Sequence, residues 1–144
     1  MGYLDAGLEF DVKAQHLTTG ASTNVIDFGA ARDLGVGESI MLVVDVTTAM
    51  TDAGSDSTIT VTVETDSVEA FSSPATTQTV GTFAAGSAIG TSLKIKLSPG
   101  TINERYARIK YTVANGNLTT GNFSAYLVLD QYSGSGYPAA VTSI

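Results

Sequence analysis

Alternation of apolar and more polar side chains recurs in four segments of this chain. The segments are residues 58–64, 92–97, 106–113 and 123–130. In the first of them Ile59, Val61 and Val63 share one face, and threonines or glutamate occupy the other. Successive side chains of a strand point to opposite faces of its sheet, so a period of two indicates half-buried strands. The chain is therefore predicted to be all-β, because no convincing helical period is found.

A fifth strand is predicted by hydrophobicity rather than by alternation. Residues 40–46 are apolar at nearly every position until Asp45, as expected of a central strand that is covered on both faces. Weaker strand patterns occupy residues 24–28 and 78–83.

Turn residues separate these strands. Gly-Val-Gly at 35–37 precedes the central strand, and Ser-Pro-Gly at 98–100 follows another. Ala-Asn-Gly-Asn at 114–117 predicts a hairpin, because asparagine and glycine both tolerate a positive φ. Seven or eight short strands with such turns predict a single-domain jelly roll or β-sandwich.

The two ends of the chain differ from this pattern. Residues 1–20 show no clean period but carry several apolar side chains, which predicts an N-terminal arm that packs on its own sandwich or on a neighbour. Residues 131–144 are rich in glycine and serine and are predicted to form a C-terminal tail. The sandwich domain is thus predicted over residues 21–130.

Composition excludes several classes of function. A chain of 144 residues with no cysteine has no disulfide, thiolate metal site or cysteine nucleophile. A net charge of −7 argues against wrapping nucleic acid, which requires a basic surface. Apolar runs are too short for a membrane span, and a secretion signal is not expected at the N-terminus. Neither a nucleic acid nor a membrane is therefore a predicted partner.

Charge is sorted along the sequence. Residues 1–69 hold 12 of the 14 acidic side chains, and residues 70–93 carry no charge. Five of the seven bases then follow within 17 residues: Lys94, Lys96, Arg105, Arg108 and Lys110. Lys94 and Lys96 share one strand face, as do Arg108 and Lys110, and these four would form a basic ridge if their strands lie near each other. Such a ridge favours a docking surface, although a solvated strand face gives the same pattern.

Sites of chemistry are weakly supported. His16 is the single histidine, which excludes histidine triads and multi-histidine metal sites. Residues 52–56 resemble part of a calcium loop but lack its terminal bidentate glutamate, so a polar turn is the better interpretation. Carboxylates for glycoside hydrolysis could be drawn from Glu64, Asp66 and Glu69, but a solvated strand end explains them better. No catalytic residue, cofactor or metal ligand is predicted, and the chain is not expected to be an enzyme.

A family resemblance adds to this interpretation. Residues 21–38 (ASTNVIDFGAARDLGVGE) resemble the N-terminal part of small capsid cementing proteins of tailed bacteriophages, of the type known from a Bordetella phage. Residues 69–74, 97–113 and 122–130 are similar to later parts of that family, in the same order and spacing. The resemblance covers most of residues 20–130 and carries no catalytic motif.

The resemblance implies a jelly-roll protein of the virion. It implies binding to the outer surface of an assembled icosahedral capsid after synthesis in the bacterial cytoplasm, with bridging of neighbouring major capsid subunits. It also implies a homodimer near two-fold positions, with a trimer as the alternative. The expected contact residues are the basic residues Lys94, Lys96, Arg105, Arg108 and Lys110, together with the arm residues Tyr3, Leu4, Leu8 and Phe10.

The alternative function is a carbohydrate-binding β-sandwich of a tail fibre or a secreted enzyme. Sugar platforms favour exposed tryptophan or tyrosine side chains. The chain has no tryptophan, and Tyr126 and Tyr132 are the tyrosines that could serve.

Overall fold

Nine antiparallel strands build the protein in a computed structural model that describes residues 8–31, 33, 34 and 40–129. The strands are β1 (Glu9–Gln15), β2 (Gly20–Ala21), β3 (Ile26–Asp27), β4 (Ile40–Asp52), β5 (Thr58–Asp66), β6 (Ala75–Phe83), β7 (Ser92–Lys96), β8 (Tyr106–Ala114) and β9 (Leu118–Leu129). The described residues contain no α-helix, so none of them belongs to a helix long and apolar enough to cross a membrane.

The strands form two sheets. Sheet A has the order β1-β9-β4-β7, and sheet B has the order β2-β8-β5-β6 with β3 also paired to β8. The pairing is nested along the chain: β1 pairs β9, the short strands β2 and β3 pair β8, β4 pairs β7, and β5 pairs β6. This is an antiparallel ribbon folded over on itself, which is the strand order of a jelly roll. The predicted fold class is confirmed.

The core lies between the two sheets. Alternate residues of each strand point inward, so Val61 and Val63 of β5 face Leu42 and Val44 of β4 within one buried cluster. Aromatic rings join the sheets directly, since the ring centroid of Phe123 lies 5.5 Å from that of Phe83. Tilted ring pairs at this separation add to the stabilisation from buried area. The alternation in the sequence therefore reflects the burial of every second side chain in this shared core.

The strand predictions are confirmed at β4 to β9. Residues 40–46 lie in β4, which has β9 on one side and β7 on the other. Its residue Val43 points away from the core, yet only 6% of its surface is exposed. A central strand with little exposed surface on either face reads as a continuous apolar run, as the sequence indicated.

The predicted hairpin at residues 114–117 is wrong. Asn115 and Gly116 do adopt positive φ angles of 66° and 106°. However, the strand before this turn belongs to sheet B and the strand after it belongs to sheet A. The turn therefore carries the chain from one sheet to the other. Local turn chemistry specifies the backbone conformation but not the partner of the strand that follows.

The described part of residues 1–20 packs on its own sandwich. β1 pairs β9 at one edge of sheet A, and the ring of Phe10 is fully buried in the core. A period of two is hidden in this segment because register shifts interrupt the pairing, with Lys13 in the left-handed region at φ 51°. The predicted C-terminal tail, residues 131–144, lies outside the described residues.

Truncation of Phe10 tests whether β1 is a structural strand. Phe10→Ala should lower the free energy of unfolding by about 3–5 kcal/mol, because it empties a ring-sized volume in the core. Val12→Ala is the matched control, since 58% of the Val12 surface is exposed and its loss should cost less than about 0.5 kcal/mol. Urea unfolding of the three proteins gives both numbers, and equal costs would contradict the buried position of Phe10.

Candidate functional site

The basic ridge is divided between the two sheets. Lys94 and Lys96 point outward from β7 in sheet A, whereas Arg108 and Lys110 point outward from β8 in sheet B. Because the sheets pack through their inner faces, these two pairs of cations lie on opposite outer surfaces of the sandwich. The four residues therefore do not form one ridge.

Arg108 and Lys110 both pair with one glutamate of the neighbouring strand. Arg108 donates from Nε to Oε1 of Glu64 over 2.7 Å, and the Lys110 ammonium lies 3.8 Å from Oε2 of the same side chain. The Arg108 guanidinium also lies 4.3 Å from the ring centroid of the buried Phe71, in a cation–π contact. These contacts attach the loop after β5 to the outer face of sheet B, so Arg108 has a structural role.

Arg105 also has an internal partner. Its guanidinium forms a bidentate pair with Asp27 of β3, at 2.7 Å to Oδ1 and 2.9 Å to Oδ2. This pairing, together with the hydrogen bond from the Gly29 N–H, lowers the pKa of Asp27 to about 2. Both side chains are a little under half exposed, so solvent screens the pair and its contribution to stability is small.

Lys94 and Lys96 remain on an exposed strand face. Within the described residues, no carboxylate lies within 4.0 Å of either ammonium group. The register places Lys94 beside Val43, Val43 beside Tyr126, and Tyr126 beside Glu9. The outer face of sheet A thus has cations at the β7 edge and an acidic side chain at the β1 edge. Of the five clustered bases, these two are the ones left to contact a partner.

The four expected arm residues have different positions. Phe10 is fully buried, and the half-buried Leu8 packs against the core. These two side chains therefore serve the sandwich itself rather than an outer surface. Tyr3 and Leu4 lie outside the described residues.

Tyr126, one of the two tyrosines that could serve the carbohydrate-binding alternative, forms a hydrogen bond within the protein. Its hydroxyl donates to Oδ2 of Asp45 over 2.9 Å, and the same carboxylate accepts a hydrogen bond from Ser92. Partial burial, with Asp45 adding to the effect, raises the pKa of Tyr126 to about 12. Its hydroxyl is already satisfied, so it does not favour sugar recognition. Tyr132 lies outside the described residues.

A buried carboxylate that the sequence did not reveal lies where the chain passes between the sheets. Asp11 of β1 is 1% exposed and accepts hydrogen bonds from three different segments. His16 Nε2 and the Tyr111 hydroxyl both reach Oδ2 at 2.9 Å, and the Thr23 N–H donates to Oδ1 over 2.7 Å. Tyr111 belongs to sheet B, so this polar cluster joins the sheets from inside.

The environment of Asp11 favours its charged form. Burial raises its pKa, but the hydrogen bonds from His16, Thr23 and Tyr111 outweigh that effect and hold the pKa below its ordinary value of 3.8. Burial next to this carboxylate also raises the pKa of Tyr111. The His16 ring stacks on the Tyr111 ring at a centroid distance of 4.0 Å. The single histidine of the chain is thus a structural partner of the buried Asp11.

The loop that resembles a calcium site uses its first carboxylate to organise its own backbone. Oδ2 of Asp52 accepts the N–H groups of Gly54, Asp56 and Ser57 at 3.1–3.3 Å. This is a polar turn of the kind that aspartate commonly forms. Among the described residues, no group of three or more His, Asp or Glu side chains is arranged to hold a metal ion.

The acidic side chains considered for glycoside hydrolysis have structural partners. Glu64 is held by Arg108, as described above. Asp66 accepts the N–H of Ser73 at 2.9 Å and that of Val68 at 3.2 Å, and these hydrogen bonds lower its pKa. Glu69 is exposed on the following loop. Asp66 thus holds the loop at residues 67–74 directly, and Glu64 holds the Arg108 side chain that contacts Phe71 of this loop.

Comparison with known families gives a match that spans the sandwich. The model of the Bbp16 family matches residues 12–127, which run from within β1 to within β9. A search of curated proteins finds no match.

Removal of the Asp11 charge should change how stability depends on pH. The folded-state pKa lies below 3.8, so the carboxylate contributes stability that is complete above that value and is lost as the pH falls through the folded-state pKa. Asp11→Asn places an amide N–H₂ against hydrogen-bond donors and should cost about 1–3 kcal/mol at neutral pH.

Chemical unfolding between pH 2 and pH 7, in roughly one-unit steps, measures this difference. The stability gap between wild type and Asp11→Asn should narrow below pH 3.8. Glu69→Gln, at an exposed site, is the control and should follow the wild-type curve. A gap of constant size over the whole range would contradict the charged state of Asp11.

Calcium should not stabilise the turn at residues 52–56. We expect Asp52→Ala to lower the melting temperature, since three backbone N–H groups lose their acceptor, while Asp56→Ala should lower it less. Millimolar calcium should leave the wild-type melting temperature unchanged. A calcium-dependent rise that disappears in Asp52→Ala would show instead that this loop binds the ion.

Proposed function

Because this chain belongs to the Bbp16 family, a family of Bordetella phage proteins, we propose that it is a capsid decoration protein. In this proposal it binds the outer surface of an assembled icosahedral shell and bridges neighbouring major capsid subunits. The family match over residues 12–127 is the observation that carries the proposal.

The physical character of the described residues supports a binding role. Several of their ionisable side chains fasten strands and loops, as do Asp11, Glu64 and Asp66. The chain folds without cysteines around a continuous inter-sheet core. Such a sandwich offers rigid outer faces and strand edges, which are the surfaces that bridging of two neighbouring subunits requires.

Stabilisation of a shell by such a protein follows from linkage. A ligand that binds the assembled shell and not its dissociated subunits shifts the equilibrium toward assembly. At a free concentration about 100-fold above the dissociation constant, the shift is about 2.7 kcal/mol per site. Many copies around one shell add these contributions, and bridges that span two subunits gain further from multivalency.

The proposed partners are the major capsid protein and a second copy of this chain. A homodimer placed near the two-fold positions of the shell presents equivalent surfaces to equivalent subunits, since a two-fold interface is self-complementary. The proposed location is the outer surface of the virion.

Co-sedimentation with shells that lack this protein tests the proposal. We expect saturable binding to expanded shells, weaker binding to unexpanded precursor shells, and a rise in the melting temperature of the expanded shells. The folded but destabilised Phe10→Ala variant, assayed below its own melting temperature, should still bind because its altered side chain is internal. Absence of saturable binding, or an unchanged shell melting temperature at saturation, would refute the decoration role.

A further inference from the structure

Among the described residues, no backbone group hydrogen-bonds to the outer edge of β7 in sheet A. The N–H of Leu97 bonds to the carbonyl of Ile40, and the carbonyl of Thr91 accepts from Val46, both at 2.9 Å. Backbone groups of a strand alternate in direction, so the odd-numbered residues of this segment face β4 and the even-numbered residues face away from it. The backbone groups of Ser92, Lys94 and Lys96 therefore point to the open edge, where no described strand pairs with them.

The side chains of β7 determine which sequence pattern an added strand must have to pair with it. Ser92, Lys94 and Lys96 are exposed on the outer face, while Leu93 and Ile95 are half-buried and pack against the core. Side chains directly opposite one another on paired strands interact, and opposite charges stabilise the pair. The strand that fits beside β7 therefore carries acidic side chains outward and apolar side chains inward.

Pairing of β7 with a second copy of itself is disfavoured. An antiparallel pair centred on Lys94 places the two Lys94 side chains opposite each other. A pair centred on Ile95 places Lys94 opposite Lys96 twice. Like charges directly opposite each other are destabilising, and lysine is a common means of blocking edge-to-edge association.

The neighbouring carboxylate restricts where the acidic side chains can lie. Asp45 of β4 is paired in register with Ser92 and accepts hydrogen bonds from the hydroxyls of Ser92 and Tyr126. An acidic side chain opposite Ser92, on the added strand, would be repelled by the negative charge of Asp45. The favourable positions are consequently those opposite Lys94 and Lys96.

We propose that the β7 edge, defined as residues 92–96, binds an acidic extended segment of a partner protein by strand addition. Main-chain hydrogen bonds supply affinity in this mode of recognition, and alternate side chains supply specificity. The identity of the partner rests on the proposed function, under which the segment belongs to the major capsid protein.

Hydrogen exchange on the complex with shells tests this edge. The outward amides of Ser92, Lys94 and Lys96 should exchange about tenfold more slowly in the shell-bound protein than in the free protein, because each gains a hydrogen bond to the added strand. Residues 9–15, at the opposite edge of sheet A, are the internal comparison and should change less. Saturable shell binding without protection of residues 92–96 would overturn the edge proposal and leave the decoration role standing.

Two pairs of variants separate charge from backbone pairing. Lys94→Glu should weaken binding about tenfold, whereas Lys13→Glu makes the same charge change at the exposed β1 edge and should have little effect. Lys94→Pro should bind about fivefold more weakly than Lys94→Thr, because both lose the charge and only proline loses the outward N–H. Melting temperatures verify that each variant is folded. Equal affinities within either pair would contradict strand addition.

A peptide titration tests the β7 edge without shells, and it therefore remains informative if the protein does not bind them. A blocked peptide of alternating glutamate and valine is titrated into the wild-type protein, with a lysine–valine peptide as control. Saturable chemical-shift changes at residues 92–96 with the acidic peptide alone support the edge proposal even if the decoration role fails. Binding of neither peptide, or of both, would overturn it.

Discussion

The buried Asp11 carboxylate is the polar interaction on which the position of β1 and of the chain up to Thr23 depends. It lies in β1 of sheet A, and its partners come from the crossover at His16, the link at Thr23 and the sheet B strand at Tyr111. An ionised carboxylate inside a protein is costly unless its oxygens are hydrogen-bonded. Three donors from three segments meet that requirement together, so a chain that misplaces any of them leaves a buried charge unsatisfied. The cluster therefore specifies the path of residues 11–23 as well as stabilising it.

The jelly-roll topology explains why sequence neighbours separate in space. The chain alternates between sheets at β6 to β9, so consecutive strands at the C-terminal end lie in opposite sheets. Bases that arrive within 17 residues of sequence are thereby distributed to two outer faces and a loop. The acidic partners of Arg105 and Arg108 come from Asp27 and Glu64, far away in sequence. Acidic and basic residues that are separated in the sequence thus form ion pairs in the fold.

Sequence patterns predicted the fold class and most strands because these depend on local periodicity. The sequence predicted neither the β1 strand nor the Asp11 cluster. A bulge at Lys13 disrupts the alternation, and the partners of Asp11 extend up to 100 residues along the chain. The prediction of a hairpin at residues 114–117 was wrong for a similar reason, because the turn sequence does not specify which sheet the next strand joins. Within the candidate site, the sequence showed where the cations lie along the chain, but the pairing of three of them with Asp27 and Glu64 depends on the register of β3, β5 and β8.

A protein with open strand edges that binds a partner must also avoid self-association. A hydrophobic edge strand would bind a partner, but it would also self-associate, because its unpaired backbone groups pair with any similar edge. The positive charge of the β7 lysines meets both requirements, because it repels a second β7 edge and attracts an acidic strand. The β1 edge is managed differently, since the loop after β2 reaches it through the Asn24 N–H bonded to the Phe10 carbonyl. The β1 edge is thus held in part by the loop after β2, whereas the β7 edge has no described strand beside it and carries the lysines that select what can pair with it.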